Sequence, residues 1–135
     1  MKTINTFLFF VLAVCGAVQA QNITVTVSNP KGNKGTIKYA LHNKTTFLVS
    51  KPIQAEESGI KDGKSVITFK NVPAGEYAIT CFHDKNENGT MDFESNGMPK
   101  EPYGASNNVM NFGPPRYEDA KFTVSDKDVS LEIRL

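Results

Sequence analysis

Apolar and polar residues alternate over much of the chain that follows residue 20. In the segment 23–27, Ile23, Val25 and Val27 take one set of positions and two threonines take the other. Branched residues at both sets of positions favour extended backbone. The last seven residues, 129–135, alternate in the same way. A period of two predicts strands that bury one face, at the beginning and at the end of one domain.

The same pattern predicts further short strands between these two. They are expected at Ile37–Leu41, Phe47–Ser50, Val66–Lys70, Tyr77–Phe82 and Tyr117–Val124. The polar, glycine-bearing segment 54–64 is interpreted as a loop or an edge ribbon, and Asn29–Gly35 as a turn. About seven strands without a helical period or an internal repeat predict an all-β fold, an antiparallel immunoglobulin-like or prealbumin-like sandwich with one long ordered loop.

The first twenty residues have the pattern of a secretory signal peptide. Lys2 precedes an apolar run centred on residues 7–14, and small residues end the segment at Ala20. We predict cleavage after Ala20, a single sandwich domain over residues 21–135, and export to the periplasm or beyond. The apolar run is short for a membrane span, so no stable span is expected. Lipidation at Cys15 is the alternative, although Val14 stands where a small residue is expected.

Charge and cysteine content narrow the classes of partner and the sources of stability. Without Lys2, the remaining chain carries 14 basic and 14 acidic residues. A neutral domain has no evident basic face for phosphates, so nucleic acid is not an expected partner. Cys81 is the one cysteine after residue 20. An internal disulfide is therefore excluded for the mature domain, and packing or a bound ion must supply the stability.

The segment His83–Pro115 is long for a connection between strands, and its first part has the spacing of a calcium loop. Asp84, Asn86, Asn88, Gly89 and Asp92 follow the order D-x-N-x-N-G-x-x-D. Oxygen-bearing side chains at alternate positions, followed by a glycine at the sharp turn, suit a hard cation. In this register the backbone carbonyl of residue 90 is a further ligand.

The loop departs from an EF-hand where the closing carboxylate should stand. Ser95 occupies the twelfth position, and a strand rather than a helix precedes the loop. Glu94 and Glu101 are the two candidates for the closing ligand, and nearby prolines and glycines that let the chain fold back favour Glu101. The predicted calcium ligands are Asp84, Asn86, Asn88, Thr90, Asp92 and Glu101. The competing interpretation is a polar turn that needs no metal, because Asn-Gly is itself a strong turn signal.

Three runs of residues follow one another in the second half of the chain. The first is the D-x-N-x-N-G-x-x-D run. The second is G-x-P-x-E-x-x-G-x-S-N-N over residues 97–108, and the third is F-G-x-P-x-x-x-D-A over residues 112–120. In this order they resemble a family of small secreted bacterial proteins described only as a domain of unknown function, although Ala105 departs from the phenylalanine that this family usually carries. The resemblance implies an exported β-sandwich and supplies no activity.

These observations leave several functions open. We expect a monomeric, non-enzymatic binding or structural module, on which Tyr103 and residues 106–111 form a surface for an extracellular protein or a glycan. An extracytoplasmic enzyme would use His83 and Glu101 as acid and base, although the sequence has no nucleophile elbow and no zinc-spaced histidines. Copper(I) bound by the loop methionines with His83 is a further alternative.

Overall fold

The computed structural model describes residues 19–110 and 112–135. The predicted signal peptide up to residue 18, and with it Cys15, lies outside the described residues. The described chain forms eight strands, one short α-helix and a 3-10 turn at Ser106–Asn108. These are β1 (Gln21–Val27), β2 (Thr36–His42), β3 (Gln54–Gly59), β4 (Ser65–Val72), β5 (Gly75–Asp84), β6 (Tyr103–Ala105), α1 (Tyr117–Ala120), β7 (Phe122–Val124) and β8 (Val129–Ile133).

The strands form two sheets. The first has the order β4-β1-β8, and the second has the order β3-β2-β5-β6, with β7 also paired to β5. Most neighbours are antiparallel, but β1 and β8 are parallel, with Val25 beside Leu131. The predicted all-β sandwich is confirmed, with eight strands rather than about seven and with one parallel pair. The segment interpreted as a loop or edge ribbon contains β3, an edge strand on β2.

Alternate residues of both sheets form one apolar core. It contains Ile23, Val25, Val27, Ile37, Tyr39, Leu41, Ile67, Phe69, Val72, Tyr77, Ile79, Cys81, Val124 and Ile133. The Tyr39 hydroxyl, which is buried with its ring, donates a hydrogen bond of 2.8 Å to Ser65 Oγ across the two sheets. The period-two pattern therefore identified the buried face of β1 and β2 correctly.

The predicted strand at Phe47–Ser50 is wrong, because this segment is a turn. Asn43 Oδ1 accepts hydrogen bonds of 3.0 Å from the backbone N–H groups of Thr45 and Thr46, and Leu48 has a φ of 57°. A local side-chain acceptor thus outweighs the β propensity of the apolar residues. Phe47 is buried by packing on Ala78 and Tyr117, away from the main core.

The predicted strand Tyr117–Val124 is correct only at its end, which is β7. Its first half is the helical turn α1. Arg116 Nε lies 2.9 Å from Asp119 Oδ2, and Lys121 Nζ lies 2.9 Å from Glu118 Oε2. Pairs spaced by three residues support a helical turn and not a strand.

The short strand β6 brings the long loop back onto the sandwich. It pairs with β5 from Thr80 to Phe82. A Cβ on Gly104 would lie 2.4 Å from the Arg134 carbonyl oxygen and 2.8 Å from a methyl group of Ile133. Glycine is therefore required where β6 packs against the end of β8.

Candidate functional site

The predicted metal loop leaves the sandwich at the end of β5, where His83 and Asp84 are both fully buried. His83 Nε2 lies 2.6 Å from the carbonyl oxygen of Lys34, so the ring holds the turn between β1 and β2. His83 Nδ1 is buried without a hydrogen-bond partner among the described residues. The side chain thus anchors a neighbouring turn, the role expected of a histidine at a strand end.

Asp84 lies at the head of the loop, and its two carboxylate oxygens differ in their hydrogen bonding. Oδ2 accepts a hydrogen bond of 2.8 Å from the backbone N–H of Gly89. Gly89 has a φ of 83°, a left-handed conformation that favours glycine, and this conformation turns its N–H back toward Asp84. Oδ1 is buried and has no hydrogen-bond partner in the described part of the chain. A buried carboxylate oxygen in this state is uncommon and calls for an explanation.

Asp92 is the centre of the hydrogen bonds within the loop. Asn86 Nδ2 donates to Asp92 Oδ2 at 2.6 Å, and Asn88 Nδ2 donates to Asp92 Oδ1 at 2.7 Å. These two donors, with a smaller contribution from the charge of Lys100, lower the pKa of Asp92 below its ordinary value of 3.8. Asn86, Asn88 and Asp92, which the calcium-loop register places at the third, fifth and ninth positions, are therefore in direct contact through Asp92.

Glu101 closes the loop from the other side. Its side chain is almost fully buried. Oε2 accepts a hydrogen bond of 2.8 Å from the backbone N–H of Lys85, and Oε1 accepts one of 3.1 Å from that of Asp92. Glu94 is exposed, and its backbone instead bonds Met98 and Gly97 in the turn of a hairpin. Of the two glutamates considered from the sequence, Glu101 is the one that reaches the loop.

The structure therefore brings the predicted ligands into one loop without forming a cluster of charged ligands. Thr90 donates its backbone N–H to Asn88 Oδ1 at 3.1 Å, so this residue also belongs to the network. Within residues 19–110 and 112–135, no three His, Cys, Asp or Glu side chains converge as a metal site would require. Amide and backbone oxygens would have to supply the remaining ligands of a hard cation.

The Ser-Asn-Asn run after β6 has a structural role that the sequence did not reveal. Ser106 Oγ accepts from the backbone N–H of Ile79 at 3.0 Å and donates to the carbonyl oxygen of Ala120. Asn107 Nδ2 donates to two carbonyl oxygens around the end of α1. Asn108 donates to Glu132 O at 2.9 Å, and its Oδ1 accepts from the N–H of residue 134 at 2.8 Å. These amides tie the loop to the sandwich, and recognition of a protein or a glycan by this surface stays a prediction.

An apolar groove lies beside the metal loop, and the sequence analysis did not predict it. It has a volume of about 480 Å³ and runs along the outer face of β5 at Thr80 and Phe82. Met91 and Phe93 form part of one wall, and Pro115 belongs to its lining. The concentration of Met, Phe and Pro in a polar loop was the available signal. From the sequence, these methionines are candidate ligands of copper(I) instead.

The groove does not include the pair proposed for an enzyme or the histidine proposed for copper. Neither His83 nor Glu101 lines it, whereas Met91 and Met98 do. Cys81 is buried, and burial raises the pKa of its thiol to about 12. The cysteine is therefore an uncharged thiol at neutral pH and is not activated as a nucleophile.

Comparison with known proteins gives a family for the chain. No curated protein and no solved structure matches it. No helix in the described ranges is long and apolar enough to cross a membrane. Residues 25–132 match the family model described as "Uncharacterized protein conserved in bacteria (DUF2141)". Because this match covers the sandwich from β1 to β8 and the whole loop, the chain belongs to that bacterial family.

Proposed function

We propose that this protein is an exported, non-enzymatic binding or structural module whose surface loop is ordered by a calcium ion. Export rests on the signal-peptide pattern of the first twenty residues. An immunoglobulin-like or prealbumin-like strand arrangement, the three-part sequence signature and a monomeric state belong to the same proposal. The loop from Asp84 to Glu101 is the part of the molecule that supports a specific chemistry.

The observation that carries the proposal is the buried Asp84 Oδ1. An ionised oxygen removed from water without a hydrogen-bond donor costs several kcal/mol unless a cation or a water molecule compensates it. This oxygen lies at the first position of a loop whose spacing already suits calcium. Its partner oxygen is bonded to Gly89, so the carboxylate is held in place at the head of the loop.

The amide groups of the loop are suited to exchange hydrogen bonds for coordination. Asn86 and Asn88 now present Nδ2 to the Asp92 carboxylate. A rotation of each amide group by 180° about its Cβ–Cγ bond would exchange Nδ2 for Oδ1, which is the atom that calcium binds. The ion would then replace two N–H donors as the partner of Asp92. Calcium is preferred to magnesium, because a long loop with mixed oxygen ligands suits irregular coordination better than a strict octahedron.

Acid–base catalysis by His83 and Glu101 is the alternative function, and the contacts of these residues favour it less. The two carboxylate oxygens of Glu101 accept backbone hydrogen bonds, and His83 is fully buried against the Lys34 carbonyl. A general acid or base must reach a substrate proton. Both side chains are instead used to hold loops.

Thermal unfolding in EDTA and in millimolar calcium tests the proposal. At a calcium concentration 100 times the Kd, binding to the native state adds about 2.7 kcal/mol, which raises the Tm by several degrees for a domain of this size. Asp84→Asn should abolish the shift. Asp62→Asn, at an exposed aspartate in the turn before β4, is the matched control and should keep it. Magnesium at the same concentration should give a smaller shift.

Two results would contradict the calcium proposal. One is a wild-type Tm that is equal in EDTA and in calcium. The other is a calcium shift that Asp84→Asn retains in full, because the ion would then bind elsewhere.

A further inference from the structure

The groove beside the loop has the size of a small-molecule site. Its volume of about 480 Å³ lies within the range of roughly 300 to 1,000 Å³ that is typical of such pockets. Its floor is the outer face of β5 at Thr80 and Phe82, and its walls come from the loop hairpin and from the proline segment 114–115. The groove is therefore built by parts of the chain that are far apart in sequence.

The walls of the groove leave large apolar side chains in contact with solvent. Phe93 is 58% exposed, Met98 61% and Leu48 52%. Scattered apolar residues are common on protein surfaces, but several that line one concave site indicate a binding surface. Methionine adapts its shape to different ligands, which makes it common at such sites.

The chemistry of the lining selects the kind of ligand. The lining contains no charged residue, so an ion would gain no partner there. Thr80 and Tyr103 contribute hydroxyl groups to the lining, and each hydroxyl can both donate and accept a hydrogen bond. A stable protein partner needs about 800 Å² on each side, more than a groove of this volume offers. We propose that the groove binds a neutral, mainly apolar small molecule that carries a hydroxyl or carbonyl group.

The loop network adjoins the wall of this groove. Met91 and Phe93 flank Asp92, the acceptor for both asparagine amides. Lys100 N–H donates to the Asp92 carbonyl oxygen at 2.8 Å, which closes the hairpin that carries Met98. Ordering the loop therefore positions the groove wall before a ligand arrives, which reduces the entropy cost of binding. The calcium dependence of ligand binding rests on the proposed function, whereas the groove itself does not.

A fluorescence titration with N-phenyl-1-naphthylamine, a neutral apolar probe, tests the proposal on the purified protein. We expect saturable binding of one probe per chain. Met98→Lys should weaken this binding at least tenfold, because it places a charge in the apolar wall. Val66→Lys is the matched control, since Val66 is 49% exposed on β4 and lies outside the groove lining. Both positions are exposed, so both variants should keep the fold.

Absence of saturable binding, or equal binding by wild type and Met98→Lys, would overturn the groove proposal. The contribution of the loop is tested separately with Asp92→Ala, which removes the shared acceptor without touching the groove lining. Asp92→Ala should weaken probe binding severalfold, and unchanged affinity would overturn the coupling. Calcium should tighten probe binding only if it also raises the Tm. Probe binding without any Tm shift would reject the ion and support the groove, whereas a Tm shift without probe binding would reject the groove alone.

Discussion

The sandwich core and the loop from Asp84 to Glu101 are stabilised in opposite ways. In the core, apolar side chains from both sheets exclude water, and no single contact determines the stability. In the loop, most side chains are exposed, and a few carboxylate and amide groups hold the backbone through individual hydrogen bonds. The core thus depends on total buried area, whereas the loop depends on a small number of acceptors.

This difference predicts where the molecule tolerates substitutions. A core position that stays apolar and of similar volume keeps most of its contribution, since hydrophobic burial has no direction. A loop acceptor has no substitute, because the N–H groups that it satisfies are fixed by the backbone. Small chemical changes in the loop should therefore have local effects that a change of the same size on the surface of the sandwich would not have.

The largest expected effect comes from emptying the core. Phe69→Ala removes a fully buried ring from β4 and should lower the free energy of unfolding by about 3–5 kcal/mol. Urea unfolding followed by circular dichroism measures the loss. Val66→Ala, at a half-exposed position on the same strand, is the control and should cost far less. A loss below about 1 kcal/mol for Phe69→Ala would show that the core is loosely packed there.

A smaller effect is expected when the loop loses its closing acceptor. Glu101→Ala leaves the N–H groups of Lys85 and Asp92 without their carboxylate and should cost about 1–3 kcal/mol. Amide hydrogen exchange should show faster exchange at these two positions, while the core strands remain protected. Glu94→Ala, at the exposed glutamate, should change neither the free energy of unfolding nor the amide exchange at Lys85 and Asp92. If Glu101→Ala destabilised the protein as much as Phe69→Ala, the loop and the core would form one cooperative unit.

The smallest effect is a dependence of stability on pH. Hydrogen bonds from Asn86 and Asn88 lower the pKa of Asp92 in the folded protein below its ordinary value of 3.8. The unfolded chain therefore binds the proton more readily, so the stabilisation is fully present above that value and is lost as the pH falls through the folded pKa. Unfolding free energies measured from pH 6 to pH 2 should fall more steeply for wild type than for Asp92→Asn. If the unfolding free energies of wild type and Asp92→Asn fell in parallel with pH, this would contradict the role of Asn86 and Asn88 in lowering the pKa of Asp92.

The strand pattern was predictable because it depends on one face of each strand. Ile23, Val25 and Val27 are buried as alternation required. The same alternation does not determine strand direction, and so the parallel pairing of β1 with β8 was missed. It also cannot detect local competition. The side chain of Asn43 accepts hydrogen bonds that hold the following residues in a turn, so Phe47 is not part of a strand. Charged pairs spaced by three residues stabilise a helical turn at residues 117–120.

The spacing that identified the candidate calcium ligands did not predict their contacts in the structure, and calcium binding by these residues stays a prediction. The spacing of Asp84, Asn86, Asn88 and Asp92 predicted that these side chains would face one another, and they lie in one hydrogen-bonded network or at its head. The choice of Glu101 followed from backbone restriction by nearby prolines and glycines. The structural use of Ser106 could not be predicted, since its partners lie 27 residues before it and 14 after it.

The sequence by itself determined the strands in which apolar and polar residues alternate, such as β1 and β2, and their buried faces, because these depend on residues close together in the chain. Tertiary structure decided which backbone N–H groups Glu101 binds, which oxygen of Asp84 is left without a donor, and that Met91 and Phe93 line an apolar groove with residues of β5. Those outcomes depend on contacts between segments that are distant in the chain, such as the hydrogen bond from the Lys85 N–H to Glu101, and no local pattern encodes such contacts.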